Sequence, residues 1–527
     1  MLCVQCGAAV DVTSAKIPPT TSYSIRNELL TSNLCPLESE VPYIERIIED
    51  HQPRVNALNA QIDILQTALA RFVRERNGLV SRAERYRAVL APIRRLPPEL
   101  VAEILKLVPF TRGIAYKTIE QPPWTLGHIC RSWRETLLQC PLLWRRFTFT
   151  ASPAAFPPDM IETQLLRAAH SPLAIDFEWD KFTWTSDDRA GVLWNPLLLH
   201  SSRWQSLRIR CHDQTTSDII LQLLEVIKGR IPQLEKVEFC VKRRVRPAST
   251  KEWDMFSIAP QLSEFLTTEA LWDGYSPHFS IPWTQIRRYR GVYSSTHQLD
   301  ILRKAPNLVD CSIGFDVTLA THGDVMLVLP PLRRLLVEGT SILDHLTAPS
   351  LELLVVRGAG PNLLSCIQRS SCNLTTLGIT RNSSFSGLIE LLKSCPLLTH
   401  LFLSSGDVVS SAEAVFMEPL FTGLHVSDSA SDTSTSITIC PNIEYFGFLW
   451  VDDSAFPAEE SFFRMIHSRC GPSPSQRLRS IRLLTTFNRG QLVSQTFRDE
   501  MRRLEREGRL DVDYFDEEEA DACLAQL

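Results

Sequence analysis

The sequence predicts a mixed α/β protein in three successive parts: a long N-terminal heptad helix, a small all-α module, and an α/β solenoid of degenerate repeats. Three observations carry this reading. Apolar residues keep a period of about 3.5 from Ile44 to Leu90, the mark of one stripe along a helix. Two short helix-forming stretches, punctuated by prolines, fill Pro92–Trp144. Beyond them a short apolar unit recurs, with anchors at Leu308, Leu332, Leu351, Leu374 and Leu398, in steps of 24, 19, 23 and 24 residues.

Residues 1–40 are expected to be disordered, because Ser, Thr and Pro crowd Thr13–Thr21 and no period holds. Cys3 and Cys6 form one Cys-x-x-Cys. A zinc site needs a second pair, and Cys35 has no close partner, so no metal ligand and no cofactor is assigned.

The heptad segment is assigned to residues 41–91. Its apolar positions alternate by fours and threes, with His51 and Arg76 as polar interruptions, and charges such as Arg71, Arg74, Arg82 and Glu84 fall on the other faces. Pro53 is expected to start the main helix or to kink an earlier one. A stripe this narrow calls for a partner helix. It is supplied either by a second copy, giving a homodimer through residues 44–90, or by the chain's own body. The helix should end at Ala91-Pro92, since a residue before proline avoids the α region.

Residues 92–147 form the all-α module. Leu96-Pro97-Pro98-Glu99 opens a helix with proline in its first turn and an acid near its positive end. Leu100, Ile104 and Leu107 give its apolar face, widened by Val101, Leu105 and Val108. After a loop with Gly113, Pro122 and Pro123, a second helix is expected from about Leu126 to Leu138, with Leu126, Ile129, Trp133 and Leu137 at helical spacing and Pro141 as its stop.

Residues 148–515 follow the repeat grammar: a Pro, Cys or Ser, an apolar anchor, two further residues, then a short β-type run, as in Pro232-Gln233-Leu234-Glu235-Lys236-Val237. The period is that of leucine-rich repeats, in which neighbouring units bury the apolar face that one unit cannot bury alone. Ile219–Leu224 and Ile389–Leu392 read as returning helices. Wider gaps, Leu234 to Trp283 and Leu398 to Ile443, read as insertions. Ser427–Ser436 reads as a solvated linker or a phosphorylation segment, and Lys242–Arg246 as a solvated basic loop or an import signal. Asp452, Asp453, Glu459 and Glu460 read as a solvated edge. A last repeat closes with Leu510–Tyr514, and residues 516–527 form an acidic C-terminal tail, a polar cover for the end of the stack.

No enzyme is expected. The sequence has no Gly-x-x-x-x-Gly-Lys phosphate loop, no His-Glu-x-x-His and no Gly-x-Ser-x-Gly. A net charge of −5 gives no basis for a bulk nucleic-acid partner. No stretch approaches the ~18 apolar residues of a membrane span, and the scattered cysteines fit a reducing compartment, so a cytoplasmic or nuclear protein is expected.

The segment Leu96-Pro97-Pro98-Glu99, Ile129-Cys130-Arg131-Ser132-Trp133 and Leu143-Trp144 closely resembles an F-box. Ile129 stands where that family usually has valine, and Lys106–Gln121 is longer than many F-box links. With Ser32-Asn33, the heptad helix and Trp124-Thr125-Leu126 in order around it, the chain is similar to the expanded F-box families of mushroom-forming fungi. The resemblance implies docking to a Skp-type adaptor, and through it to a cullin, by Leu96, Pro97, Glu99, Leu100, Ile104, Leu126, Ile129, Cys130 and Trp133, with Trp144 anchoring the module's end. It implies a substrate-recognition subunit of a ubiquitin ligase, whose repeats bind an unidentified target. Glu235, Lys236, Arg333, Arg334, Glu352 and Thr375 are the candidate target-facing residues. The alternative is an interaction scaffold without ligase function that uses the heptad helix and the solenoid.

Overall fold

In the computed structural model, the residues described are 27–108, 123–149, 158–179, 188–211, 214–241, 252–268, 278–291, 295–314, 326–358, 360–382, 387–405, 414–426, 439–450, 458–470, 478–485, 495–508 and 511–515. Cys3, Cys6, the basic run at 242–246, the serine-rich segment at 427–436, Asp452, Asp453 and the acidic tail lie outside them. The chain divides into two compact units, residues 1–101 and 102–527.

The first unit has a short helix α1 (Asn27–Thr31) and a single 49-residue helix α2 (Val41–Val89), roughly 73 Å long at 1.5 Å per residue. Pro42 occupies the first turn, where a missing N–H costs nothing. Pro53 lies inside the helix, so it does not start it. No residue of α2 is buried, and its heptad stripe is exposed from Ile48 to Tyr86. After Leu90 the chain makes a 3-10 turn, Pro92–Arg95, and enters α3 (Pro98–Lys106), which runs across the division between the units.

The second unit is built on one 14-stranded sheet in which every pairing is parallel and the strands follow sequence order. Helix α4 (Arg131–Gln139) leads into β1 (Arg146–Phe149), α5 (Pro158–Arg167) into β2 (Leu173–Trp179), α6 (Asp188–Leu199) into β3 (Trp204–Cys211), and α7 (Gln214–Leu224) into β4 (Lys236–Val241). The strands β5 (Glu252–Trp253), β6 (Glu264–Thr268), β7 (His278–Phe279) and β8 (Arg288–Gly291) follow. Next come α8 (Ser295–Lys304), β9 (Asp310–Ile313), β10 (Leu327–Val328), β11 (Arg334–Val337), β12 (Leu346–Thr347) and β13 (Leu353–Arg357). The last part alternates regularly: α9 (Pro361–Ser370), β14 (Thr376–Asn382), α10 (Leu388–Lys393), β15 (His400–Ser405), α11 (Ala414–Leu424), β16 (Tyr445–Trp450), α12 (Glu459–Arg469), β17 (Ser480–Thr485), α13 (Gln495–Arg506) and β18 (Asp511–Phe515). The pairs β5–β7 and β10–β12 make two small parallel ladders beside the main sheet.

Two columns of residues face inward along the strands. One runs Phe147, Ile175, Leu207, Val237, Phe265, Tyr289, Cys311, Leu335, Leu354, Leu377, Leu401, Phe446 and Ile481 in register, all buried. Helices lie on this side: Phe177 packs on Trp194 of α6, Phe448 on Phe421 of α11 and Phe446 on Phe462 of α12. Three residues before each inward position sits the anchor that the sequence pattern marks. Leu234, Leu308, Leu332, Leu351, Leu374, Leu398 and Ile443 are all at most 2% exposed.

Two expectations change. The gap from Leu234 to Trp283 is not an insertion: Leu262, after Pro260-Gln261, is a further anchor, fully buried, and its strand β6 belongs to the main sheet. The anchor before β8 is Ile286 rather than Trp283, which sits in a 3-10 turn. The expected helix from Leu126 to Leu138 is also broken. Thr125–His128 is a 3-10 turn, and α4 starts only after an extended Cys130, whose Sγ accepts from the Trp133 N–H at 3.5 Å.

Candidate partner-docking surfaces

At the end of the first unit Leu96 is half-buried, while Pro97, Glu99 and Leu100 are exposed and Val101 is buried. Glu99 stands in the first turn of α3, where a carboxylate complements the unpaired N–H groups.

In the second unit Leu105 is buried, whereas Ile104 and Leu107 are exposed, Leu107 by 81%. Helix α3 therefore carries apolar side chains on two faces and buries only one. Leu126 and Trp133 are half-buried, Cys130 is exposed and Ile129 is 59% exposed. Arg134 fixes the turn before α4 to the helix by donating Nε to the Gly127 carbonyl at 2.9 Å. Leu138 and Leu142 are also exposed. Large aliphatic side chains left in water at this density are unusual unless something covers them.

Trp144 differs from the others: it is only 2% exposed. Its indole N–H donates to the Leu137 carbonyl at 2.8 Å, and its ring meets Trp124 edge-on at 5.1 Å. Arg167 of α5 lies 4.5 Å from the Trp144 ring centre and 4.8 Å from that of Trp124, and burial lowers its pKa. Gln164 closes the cluster, donating amide hydrogens from Nε2 to the carbonyls of Trp144 and Arg146 and accepting at Oε1 from the Trp124 indole. Trp144 thus holds the module to the sheet from inside and offers no surface to a partner. Gln164 and Arg167 lie outside the segment that drew attention in the sequence, and only the fold brings them to it.

The second surface is the sheet face turned away from the helices. Its residues alternate with the inward columns. On its N-terminal strands it is charged and paired: Arg208 reaches Glu238 at 2.8 Å and Asp176 at 3.3 Å, and Arg210 reaches Glu178 at 2.9 Å. Opposite charges facing each other across strands add modest stability, about 0.2–1 kcal/mol per pair. Towards the C-terminal strands this face becomes apolar and aromatic, with Leu336, Val355, Phe402 and a His400–Tyr445 stack at 4.3 Å.

Of the candidate target-facing residues, Lys236 and Arg334 are on this outer face. Glu235, Arg333, Glu352 and Thr375 precede their strands; their N–H groups donate to the preceding repeat and their carbonyls accept from the next. Arg333 and Glu352 pair at 3.6 Å. Among the described residues no cluster of three His, Cys, Asp or Glu side chains is arranged to hold a metal ion, and no helix is long and apolar enough to cross a membrane. No family model matches the chain, and no curated protein matches its sequence.

Proposed function

We propose that this chain is the substrate-recognition adaptor of a Skp–cullin–F-box ubiquitin ligase, with its F-box-like segment docking to the Skp-type adaptor and its repeat region binding the target. The observation that carries the reading is the uncovered apolar set in the second unit's part of that segment: Ile104, Leu107 and Ile129 stand in water while Leu105 beside Ile104 is buried. The cost of leaving them exposed ends when a partner covers them, at about 25 cal/mol per Å² of apolar area. Catalysis would lie in other subunits, and this chain would act by proximity, raising the local concentration of target.

Capture of the chain by a purified Skp-type adaptor tests this. Leu100→Asp with Ile129→Asp removes exposed side chains and leaves the interior intact, so circular dichroism and the unfolding midpoint should match wild type while capture is lost. Leu96→Ala/Pro97→Ala/Trp133→Ala should behave alike in capture. Absence of capture by the wild-type chain would refute the reading.

A second reading, a scaffold without ligase function, draws on the heptad stripe of α2, exposed from Ile48 to Tyr86. It requires self-association through residues 44–90 and no adaptor binding.

A further inference from the structure

One outer column of the sheet places Lys236, Glu264, Arg288, Asp310 and Arg334 opposite one another on consecutive strands. The signs alternate and the first four are joined: Lys236 to Glu264 at 3.4 Å, Arg288 to Glu264 at 3.4 Å, and Arg288 to Asp310 at 3.1 Å. The series then ends. Arg334 faces Asp310, whose Oδ2 already binds Arg288, on one side and Leu353 on the other. Its Nε is buried and has no hydrogen-bond partner. In the neighbouring outer column Arg290, too, has no acidic partner among the described residues.

Only β9 separates the strands of these two arginines, a span on the order of 10 Å across the sheet, which two guanidinium groups can close from either side onto one acidic group. On β9, Ser312 sets a hydroxyl in line with Arg290. The same column continues on the next strands as Leu336, Val355 and, two strands later, Phe402. Val355 and Phe402 are only 7% and 8% exposed, so Leu336, half-buried, offers the apolar area directly beside the two arginines.

We infer that this strip binds an extended acidic peptide segment of a partner protein, with one carboxylate held between Arg290 and Arg334 and an apolar side chain that accompanies it set on Leu336. A carboxylate fits better than a phosphoryl group, because Asp310 stands on the strand between the two arginines and repels a dianion more strongly. Nucleic acid fits poorly: Asp176, Glu178, Arg208, Lys236, Glu238 and Glu264 on the same face are already paired and the chain carries a net charge of −5. The inference rests on the sheet being the target-binding surface of the proposed function, and it does not depend on adaptor docking.

The test uses fluorescence anisotropy of the full chain, without adaptor, against labelled peptide pools with one fixed Glu followed by alternating apolar residues. Matched pools replace Glu by Gln or by phosphoserine, and an oligothymidine serves as the nucleic-acid probe. The Glu pool should bind best, and Arg290→Gln/Arg334→Gln should weaken it on the order of thirty-fold, while Arg479→Gln, at an exposed ion pair, should bind as wild type. Should the double variant unfold in urea earlier than wild type, the single Lys replacements decide. They keep the charge and lose the fork, and each must still lower affinity. Equal binding of the Gln pool, preference for phosphoserine or oligothymidine, or unchanged binding by the arginine variants would overturn the inference. Adaptor capture by the same variants should be unchanged. Failure of wild-type capture with peptide selectivity intact would remove only the ligase reading.

Discussion

Trp144 and Trp204 make the same bond at the same place in two repeats. Each indole donates to the carbonyl seven residues earlier, Leu137 at 2.8 Å and Leu197 at 3.1 Å. That carbonyl also accepts a backbone N–H from the residue three beyond it, Cys140 or His200. Each tryptophan stands three residues before an inward strand position, Phe147 or Leu207, the place that Leu234, Leu308 and Leu398 hold in later repeats. Helix α4 and β1 therefore already build the first repeat of the sheet, inside the segment that resembles an F-box.

This relation predicts parallel costs. Trp144→Phe keeps most of the ring and loses the hydrogen bond, at about 0.5–1.5 kcal/mol. Trp144→Ala leaves a cavity under Trp124 and Arg167 and should cost about 3–5 kcal/mol. Trp204→Phe and Trp204→Ala should follow the same order. Urea unfolding midpoints check this, and a Trp144→Ala variant as stable as wild type would show that the ring does not anchor the stack.

Phe402 and Gly447 are cross-strand partners on the outer face, and the Phe402 ring fills the space where a Cβ at 447 would lie. Gly447→Ala should therefore destabilise by about 1–3 kcal/mol through overpacking. In a Phe402→Ala background the same change should become neutral or stabilising, since alanine restricts the unfolded chain more than glycine. A double-mutant cycle measures the coupling directly. Additive effects would mean that the ring does not lie over Gly447 in solution.

The anchors were legible in the sequence because each repeats one chemical signature, a proline or small residue followed two or three positions before a strand by a leucine. Leu262 carries that signature and was hidden only by the irregular spacing around it. The outer face was not legible. Whether Arg334 meets Glu264 or Asp310 depends on a register fixed by strands far apart in sequence, so neither the charge ladder nor its open end can be read from local pattern. In the candidate docking segment the residue types were legible and their sorting was not. Leu100, Val101, Ile104 and Leu105 are all apolar on one short helix, and only packing decides which of them face water. Trp144 reads in sequence as the anchor of the module's end, but its partners Gln164 and Arg167 come from beyond the segment and only the fold brings them to it.

The α2 stripe gives a prediction about assembly. A 49-residue helix with no buried residue and an apolar stripe interrupted only at His51 and Arg76 is poorly stabilised alone in water. The chain should dimerise through residues 44–90, with Arg76 at one seam position limiting affinity. Light scattering should show concentration-dependent doubling of mass. Leu65→Asp/Leu69→Asp should abolish it, and Arg76→Leu should shift the equilibrium toward dimer. A monomer at every concentration would leave the stripe to a different partner.

His200 and His400 give a prediction about pH. Burial lowers the pKa of both, helped at His200 by the nearby Arg203 and partly offset at His400 by Glu444. Thr399 gives its single hydroxyl hydrogen to the Thr375 carbonyl at 3.1 Å, so at 2.8 Å the Nδ1 of His400 donates to Thr399, and protonation would fall on Nε2, beside the stacked Tyr445 ring. The sign follows from linkage. Both histidines are neutral in the fold at a pH where the unfolded chain, with an ordinary value of about 6.5, already binds protons. Their contribution is complete above that value and is lost as the pH falls below it toward the depressed folded values. Unfolding free energy should therefore decline between about pH 7 and pH 5, ahead of the carboxylates. His400→Asn keeps a donor for Thr399 and removes the titration, so it should flatten that slope, and His200→Asn with His400→Asn should flatten it further. A double variant with the wild-type slope would assign the acid sensitivity to other groups.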